Sequence, residues 1–382
     1  MRRSALQWKR IMTLVIVLLV GISVFAGGCS SPAANNTPSG DTQGTQAAPA
    51  PDKVFELSFA HFFPASDMIE TDMVQVWIKR IEEATDNRVK ITSYPGQTLV
   101  TSAETYQSVV EGAVDIGLSC HGYTRGKFPI IETFNLPGIA SINTTASSYA
   151  LQEAIDVLDP EELKDTKQLW SWGNSPGGIM MQFPVRKLED LAGVEIGITA
   201  GPRADAFKML GAVPVTMPVT EWYEALMRGL IKGGVAGLDT MKTFKTGEVT
   251  GDYITIAPFV FNQTFFVVMN KDVWNSLPTD IQEIIDRVTD EFFNEVVVSF
   301  WFDYAESAVE FVQSVKDIEF IELSDEEVAR WMKLMEPVMD EHVAYLNDRG
   351  LPGEEILETV LAIVDKYNQE YGDIPSYKFL QH

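Results

Sequence analysis

Phe55, Leu57 and Phe59 alternate with Glu56 and Ser58, the two-residue period of a strand with one face buried. The period then lengthens. Ile69, Met73, Trp77, Ile81 and Ala84 fall on one face of a helix, for which Ser66 is the expected cap. A second strand carries Val89 and Ile91 and ends at Tyr94-Pro95-Gly96. Thr101 and Glu104 have capping-box spacing for a helix that stops at Gly112, and Val114, Ile116 and Leu118 form the next strand. Farther along, Val194 to Thr199 reads as a short strand, Thr220 to Met227 as a helix ended by Gly229, and Phe265 to Met269 as a buried strand. A long helical region opens at Thr279, with Gln282 three places on. Another opens at Ser324 and Glu327 and stops at Gly350, and Glu354 to Tyr371 supply the last. Strand and helix alternate, which predicts an α/β fold on a parallel sheet.

Two stretches near the start follow neither period. Arg2, Arg3, Lys9 and Arg10 precede an apolar run from Ile11 to Phe25, and Ala26-Gly27-Gly28-Cys29 follows it. A basic start, a short apolar core and small residues predict a secretory signal over 1–28. The run is short of the roughly 20 apolar residues that span a bilayer. Small residues directly before Cys29 resemble a lipobox, with Ala26 in place of the usual Leu or Val, so Cys29 is the expected lipidation site. A retained anchor would give the same topology. Either way the expected location is extracytoplasmic, in the periplasm or at the cell surface, tied to the membrane by lipid. Ser30 to Asp52 hold almost no large apolar side chain, so 29–53 is read as the lipidated cysteine and a flexible tether.

The whole chain is 46% hydrophobic and 10% aromatic, a globular composition, and the part beyond the signal has length for two domains. A formal net charge of −25 excludes nucleic acid and anionic lipid as partners. Cys120 has no second thiol once Cys29 is acylated, which predicts a buried structural cysteine and no disulfide framework. His61, His121, His342 and His382 show no metal-ligand spacing, so no metal is expected. Gly117-Leu118-Ser119-Cys120-His121 lacks the second glycine of a nucleophile elbow, and no phosphate loop is present. With no catalytic residues and no cofactor in prospect, an exported α/β chain reads most economically as a binding protein.

An ordered set of motifs sharpens this. Leu188-Glu189-Asp190-Leu191-Ala192-Gly193 is followed by Leu210-Gly211-Ala212-Val213-Pro214-Val215-Thr216-Met217-Pro218 and Glu221-Trp222-Tyr223-Glu224-Ala225-Leu226. Asn270-Lys271-Asp272-Val273-Trp274-Asn275-Ser276-Leu277-Pro278 closes the series; Gly112-Ala113-Val114-Asp115-Ile116-Gly117 and Tyr123-Thr124-Arg125-Gly126-Lys127-Phe128-Pro129 precede it. Together they resemble the solute-binding subunit of tripartite ATP-independent periplasmic (TRAP) transporters, the DctP-type family. The resemblance implies a two-lobed periplasmic-binding-protein-like fold, type II-like, with a long connecting helix and C-terminal helices. Domain I would take 54–178 plus about 263–312, and domain II 179–262 plus about 313–382. One small-molecule solute would be enclosed between them, and a membrane permease driven by an ion gradient would recognise the closed form.

One position departs from the family. Most members carry an arginine in the strand after the Leu-x-Gly element, paired with the solute's carboxylate. In Gly193-Val194-Glu195-Ile196-Gly197-Ile198 that place is held by Gly197. Two readings stay open. Arg203 reaches the cleft instead, with Arg125 and Lys127 as further candidates, and the solute is a small organic acid. Alternatively the solute is zwitterionic, amine-bearing or neutral, and Asp67 meets it together with Asp239 from the other lobe. Lys232 and Gly237 also break the family pattern. Phe62, Phe63, Tyr123 and Phe183 are the expected aromatic lining, Trp170 and Trp172 are cleft or core, and Trp222 and Tyr223 are expected to seat their helix. The candidate ligand-binding set is thus Phe63, Asp67, Tyr123, Phe183, Arg203 and Asp239. The rivals are a ligand-binding sensory lipoprotein and an exported enzyme on the same fold, which would need a nucleophile–base pair.

Overall fold

The computed structural model describes residues 53–139, 141–174 and 177–374. The expected signal over 1–28, Cys29 and all of the tether but Lys53 lie outside the described residues. Among those described, no helix is long and apolar enough to cross a membrane.

In chain order the elements are β1 (Phe55–His61), α1 (Gln75–Ala84), β2 (Val89–Tyr94), α2 (Thr105–Val110), β3 (Ile116–Cys120), α3 (Thr144–Leu158) and β4 (Thr166–Asn174). There follow β5 (Gly178–Met181), β6 (Glu195–Ile198), α4 (Pro202–Met209), β7 (Val213–Thr216), α5 (Trp222–Met227), β8 (Gly233–Ala236), α6 (Thr240–Thr243), α7 (Thr246–Val249) and β9 (Tyr253–Ile256). The chain ends through β10 (Gln263–Asn270), α8 (Lys271–Ser276), α9 (Thr279–Phe292), α10 (Val298–Val315), β11 (Glu319–Glu322), α11 (Asp325–Asn347) and α12 (Gly353–Glu370).

These strands make two sheets, in the orders β2-β1-β3-β10-β4 and β11-β9-β5-β8-β6-β7, one in each lobe. Both are mixed, which corrects the all-parallel expectation. β1 runs parallel to β2 and β3, but β10 is antiparallel to β3 and β4. β6 is parallel to β7 and β8, whereas β5 is antiparallel to β8 and β9. The reason lies in the crossings. β5 and β10 each enter a sheet from the other lobe, so neither is bound by the right-handed helix crossover that keeps a βαβ unit parallel. All eight residues of β10 are buried, as the uninterrupted apolar run through Phe265–Met269 requires of a strand covered on both faces.

The helix starts follow the local sequence signals only in part. Ser324 accepts from the Glu327 N–H at 3.3 Å and opens α11 as expected. Ser66 does not cap the first helix. Asp67 does, accepting from the Ile69 N–H at 2.9 Å, and a π-helical turn over Ile69–Val74 leads into α1. Thr101 donates its hydroxyl to the Glu104 carboxylate at 2.7 Å, so the two side chains satisfy each other instead of capping, and α2 begins one residue later. The long helical region after Thr279 is α9 and α10 joined by a π-helical turn, Phe293–Val297. Trp77 on α1 donates to Thr289 on α9 at 3.1 Å, fixing these two helices to each other beside the first sheet.

Candidate binding site

Strands β1, β3, β6 and β8 all end at one place between the sheets, the crevice beyond strand C-termini where α/β folds bind ligands. The residues just past those ends, Phe62 and Phe63, Tyr123, Thr199, Gly237, Asp239 and Thr240, line a cavity. Asn174 at the end of β4 and Phe261, Gln263 and Phe265 at the start of β10 complete it from the crossing segments. Val219, Trp222 and Phe244 close the remaining side.

Much of this lining is aromatic. Phe62 and Phe63 stack with centroids 4.2 Å apart, and Phe244 lies near-parallel to Phe62 at 6.0 Å. Tyr123 meets Phe62 edge-on at 5.6 Å. Behind Phe265, Trp172 stacks at 4.7 Å and is buried core, as is Trp170. A wall of this kind suits a flat apolar body.

Arg203 supplies the positive charge. It sits in the first turn of α4, 1% exposed, with its guanidinium 4.6 Å from the Phe261 ring centroid. Nη1 donates to Thr199 Oγ1 at 2.8 Å and to Gln263 Oε1 at 3.2 Å. Nη2 donates to Asn135 Oδ1 at 2.8 Å and to the Asn262 carbonyl. All four acceptors are neutral, Nε has no partner, and among the described residues no carboxylate compensates the charge. Burial pulls its pKa down, to about 10, which leaves it protonated at neutral pH. Thr199 and Gln263 line the cavity; with their oxygens taken by Arg203, and with Gln263 Nε2 donating one hydrogen to the Thr264 carbonyl at 3.3 Å, they retain a hydroxyl proton and one amide hydrogen to offer. The guanidinium therefore polarises two donors towards the cavity.

Asp239 lines the same cavity, 3% exposed, and accepts from Asn174 Nδ2 at 3.2 Å. Burial, with the nearby Asp67 charge adding to it, pushes its pKa up to about 7. Asp67 itself is committed elsewhere. Its Oδ1 accepts from Tyr304 Oη at 2.7 Å as well as from Ile69, and its Oδ2 accepts from Thr243 Oγ1 at 2.8 Å. Tyr123 Oη accepts from the Val219 N–H at 3.2 Å. The Asp67–Thr243, Tyr123–Val219 and Arg203–Asn135 bonds each join a segment of the first sheet's lobe to one of the second's, so the lobes are held closed around the cavity.

Of the six residues singled out by sequence, Phe63, Tyr123 and Asp239 line the cavity. Arg203 stands behind Thr199 and Gln263, and Asp67 is bonded to Tyr304 and Thr243 outside the lining. Phe183 is not brought to the site: it is half-buried against the core. Arg125 lines a different cavity with Glu132, His342 and Arg349, and Lys127 pairs with Asp165. Sequence reasoning missed Thr199, Gln263, Asn174, Phe244 and Phe261. A polar residue directly after a parallel strand, as Thr199 is, was the available signal. Trp222, expected only to seat its helix, is a lining residue. At Gly197 an added Cβ would stand 2.8 Å from Ile231 Cδ1 and 2.9 Å from Trp222 Cε2, so an arginine has no room there.

Cys120 also lines the cavity, and burial raises its thiol pKa well above the usual range, which keeps it protonated. His121 is held neutral by burial, its pKa lowered to about 3, in edge contact with Phe128 and Phe266.

Known proteins share this fold. The sequence profile of the bacterial extracellular solute-binding protein family 7 (DctP) matches residues 59–345. The chain is 26% identical over 266 residues to the C4-dicarboxylate-binding periplasmic protein DctP of Rhodobacter capsulatus, covering 68% of this chain and 78% of that one. Among solved structures, a marine metagenome TRAP solute-binding protein specific for aromatic acid ligands, in complex with metahydroxyphenylacetate, superposes with a TM-score of 0.77. It is 27% identical, over 82% of this chain and 99% of that one. A TRAP solute-binding protein from Rhodoferax ferrireducens with copurified benzoate gives a TM-score of 0.76 at 25% identity, over 83% and 99%. With the profile spanning most of the described body and two sheets closing on one cavity, the chain belongs to family 7 of the bacterial extracellular solute-binding proteins, the periplasmic receptors of TRAP transporters.

Proposed function

We propose that this receptor captures a small organic acid with one carboxylate and an apolar body, and delivers it unchanged to a membrane permease. The observation that carries the reading is the buried, uncompensated Arg203 behind two cavity-facing donors. A buried cation without a counter-charge is costly, and a bound anion would offset that cost. No arginine or lysine is among the residues lining the cavity, so a second carboxylate on the solute would meet aromatic walls and Asp239. The metahydroxyphenylacetate and benzoate found in the two structural relatives agree with this chemistry.

The rest of the reading follows the family. Lobe I takes 54–178 plus about 263–312 and lobe II 179–262 plus about 313–382, with the C-terminal helices packed beneath. Cys29 carries lipid, 29–53 is the tether, and neither catalysis nor a cofactor is involved. An amine-bearing solute would need an exposed carboxylate. Asp67 spends its oxygens on Ile69, Tyr304 and Thr243, and burial favours the neutral form of Asp239.

Denaturing the purified protein and identifying the released compound by mass spectrometry tests this directly. A monocarboxylic acid is the expected product. In a thermal melt, that acid at 100 times its dissociation constant should add about 2.7 kcal/mol. Recovery of an amine or a sugar without a carboxylate, or of a compound altered by the protein, would overturn the reading.

A further inference from the structure

Two glycines decide where the Trp222 indole can lie. Gly197 of β6 and Gly234 of β8 are partners in parallel register. A Cβ on Gly234 would stand 2.0 Å from Trp222 Cζ3 and 2.3 Å from Cη2, and one on Gly197 would stand 2.9 Å from Cε2. Real Cβ contacts essentially never fall below 3.0 Å, so neither position admits a side chain while the ring stays where it is. The indole thus rests on bare backbone, 2% exposed, with Nε1 directed at the Met217 carbonyl 3.4 Å away. Ile231 Cδ1 packs over Gly197 beside it. The same ring lines the cavity whose other walls include Phe62, Phe63 and Phe244.

We infer that Trp222 is the shape-selecting residue of the cavity: its seated indole is a flat wall on which a planar ring carried by a monocarboxylate stacks. The inference rests on the organic-acid reading above and narrows it to aromatic acids. A ring already fixed by its floor loses little side-chain freedom when a solute arrives, so its contact contributes almost undiminished. A saturated ring of the same charge and size would bury similar area without the aromatic pairing.

Isothermal titration with benzoate and with cyclohexanecarboxylate separates these terms. The wild type should prefer benzoate by about three- to tenfold, the range aromatic pairing supplies. Trp222→Leu should remove most of that preference. Gly234→Ala, which pushes the ring towards the cavity, should weaken benzoate binding in the wild type and change little in the Trp222→Leu background. Should the leucine variant fail to fold in a circular-dichroism melt, Trp222→Phe carries the test, keeping part of the preference and tolerating Gly234→Ala better. Binding of both acids without preference, or an equal cost of Gly234→Ala in both backgrounds, would overturn the inference and leave the organic-acid reading standing. Failure of the wild type to bind either acid, with a non-acid released on denaturation, would sink both.

Discussion

Arg203 and Asp239 are both buried at one cavity, and the fold treats them oppositely. Around Arg203 it gathers a threonine hydroxyl, two side-chain amide oxygens and a backbone carbonyl, so the cation is solvated by fixed dipoles and remains charged. Around Asp239 the structure provides one amide donor at 3.2 Å, and the carboxyl's pKa rises to about 7. Desolvation disfavours the charged form of either group, and the number of oriented partners decides which survives. The cavity is therefore set for an anion: one charge is kept and unpaired, and the opposing one is partly neutralised.

The sharpest way to break this asymmetry is to remove the charge that survives. Arg203→Met should weaken binding of an acid solute about a hundredfold or more, the range for truncating one partner of a buried charge pair. It also strands four oxygens, each costing about 1–3 kcal/mol if left unsatisfied, so the unliganded melting temperature should fall as well. Arg203→Lys gives a second readout. It keeps the charge but loses the fork that reaches four acceptors, so it should recover binding only in part. Unchanged calorimetric affinity in Arg203→Met would remove the anion argument.

Asp67 tests the closed arrangement itself. It joins the turn after β1 to α6 and α10, across 176 and 237 residues of sequence. Asp67→Ala should loosen those ties and weaken solute binding ten- to hundredfold, as about 1.5–3 kcal/mol per bond to a charged group implies. Small-angle scattering should show a larger unliganded radius of gyration. A radius equal to that of the wild type would mean that closure rests on Tyr123, Arg203 and apolar contact.

Much of the fold was legible because burial leaves a period. The alternation at Phe55–Phe59 and the run at Phe265–Met269 mark their strands, but a period says nothing of direction, so the antiparallel entry of β10 was hidden. Phe63 and Tyr123 could be placed near a ligand crevice because each follows a strand end. The fates of Arg203 and Asp67 could not be read locally. Whether an arginine in a helix's first turn is solvated or buried depends on Asn135, Asn262 and Gln263, which come from distant segments. The place of Trp222 is hidden from the sequence for a related reason: its seat needs two glycines that meet only when β6 and β8 pair in register.

The smallest expected effect concerns the charge that is suppressed. Asp239 has a folded pKa near 7 against an ordinary value of 3.8, so the folded state holds a proton that the unfolded chain releases. Its stabilising contribution is complete below about pH 4 and is lost as pH rises through 7. The melting temperature of the unliganded protein should therefore decline across that window, and Asp239→Asn should remove this part of the slope. Binding should show the same sign at higher pH. A carboxylate solute entering beside Asp239 raises its pKa further, so affinity should fall between pH 6 and 8 by up to about tenfold, one pKa unit's worth. Cys120 and Tyr123, also beside it, stay protonated through this range because burial raises both, and the solute's own carboxyl is already ionised. Titration calorimetry in two buffers of different ionisation enthalpy should register net proton uptake at pH 7 in the wild type and none in Asp239→Asn. An affinity that does not change with pH in the wild type, or a slope that persists in Asp239→Asn, would place the neutral carboxyl away from the bound solute and leave Arg203 alone to set the sign of the site.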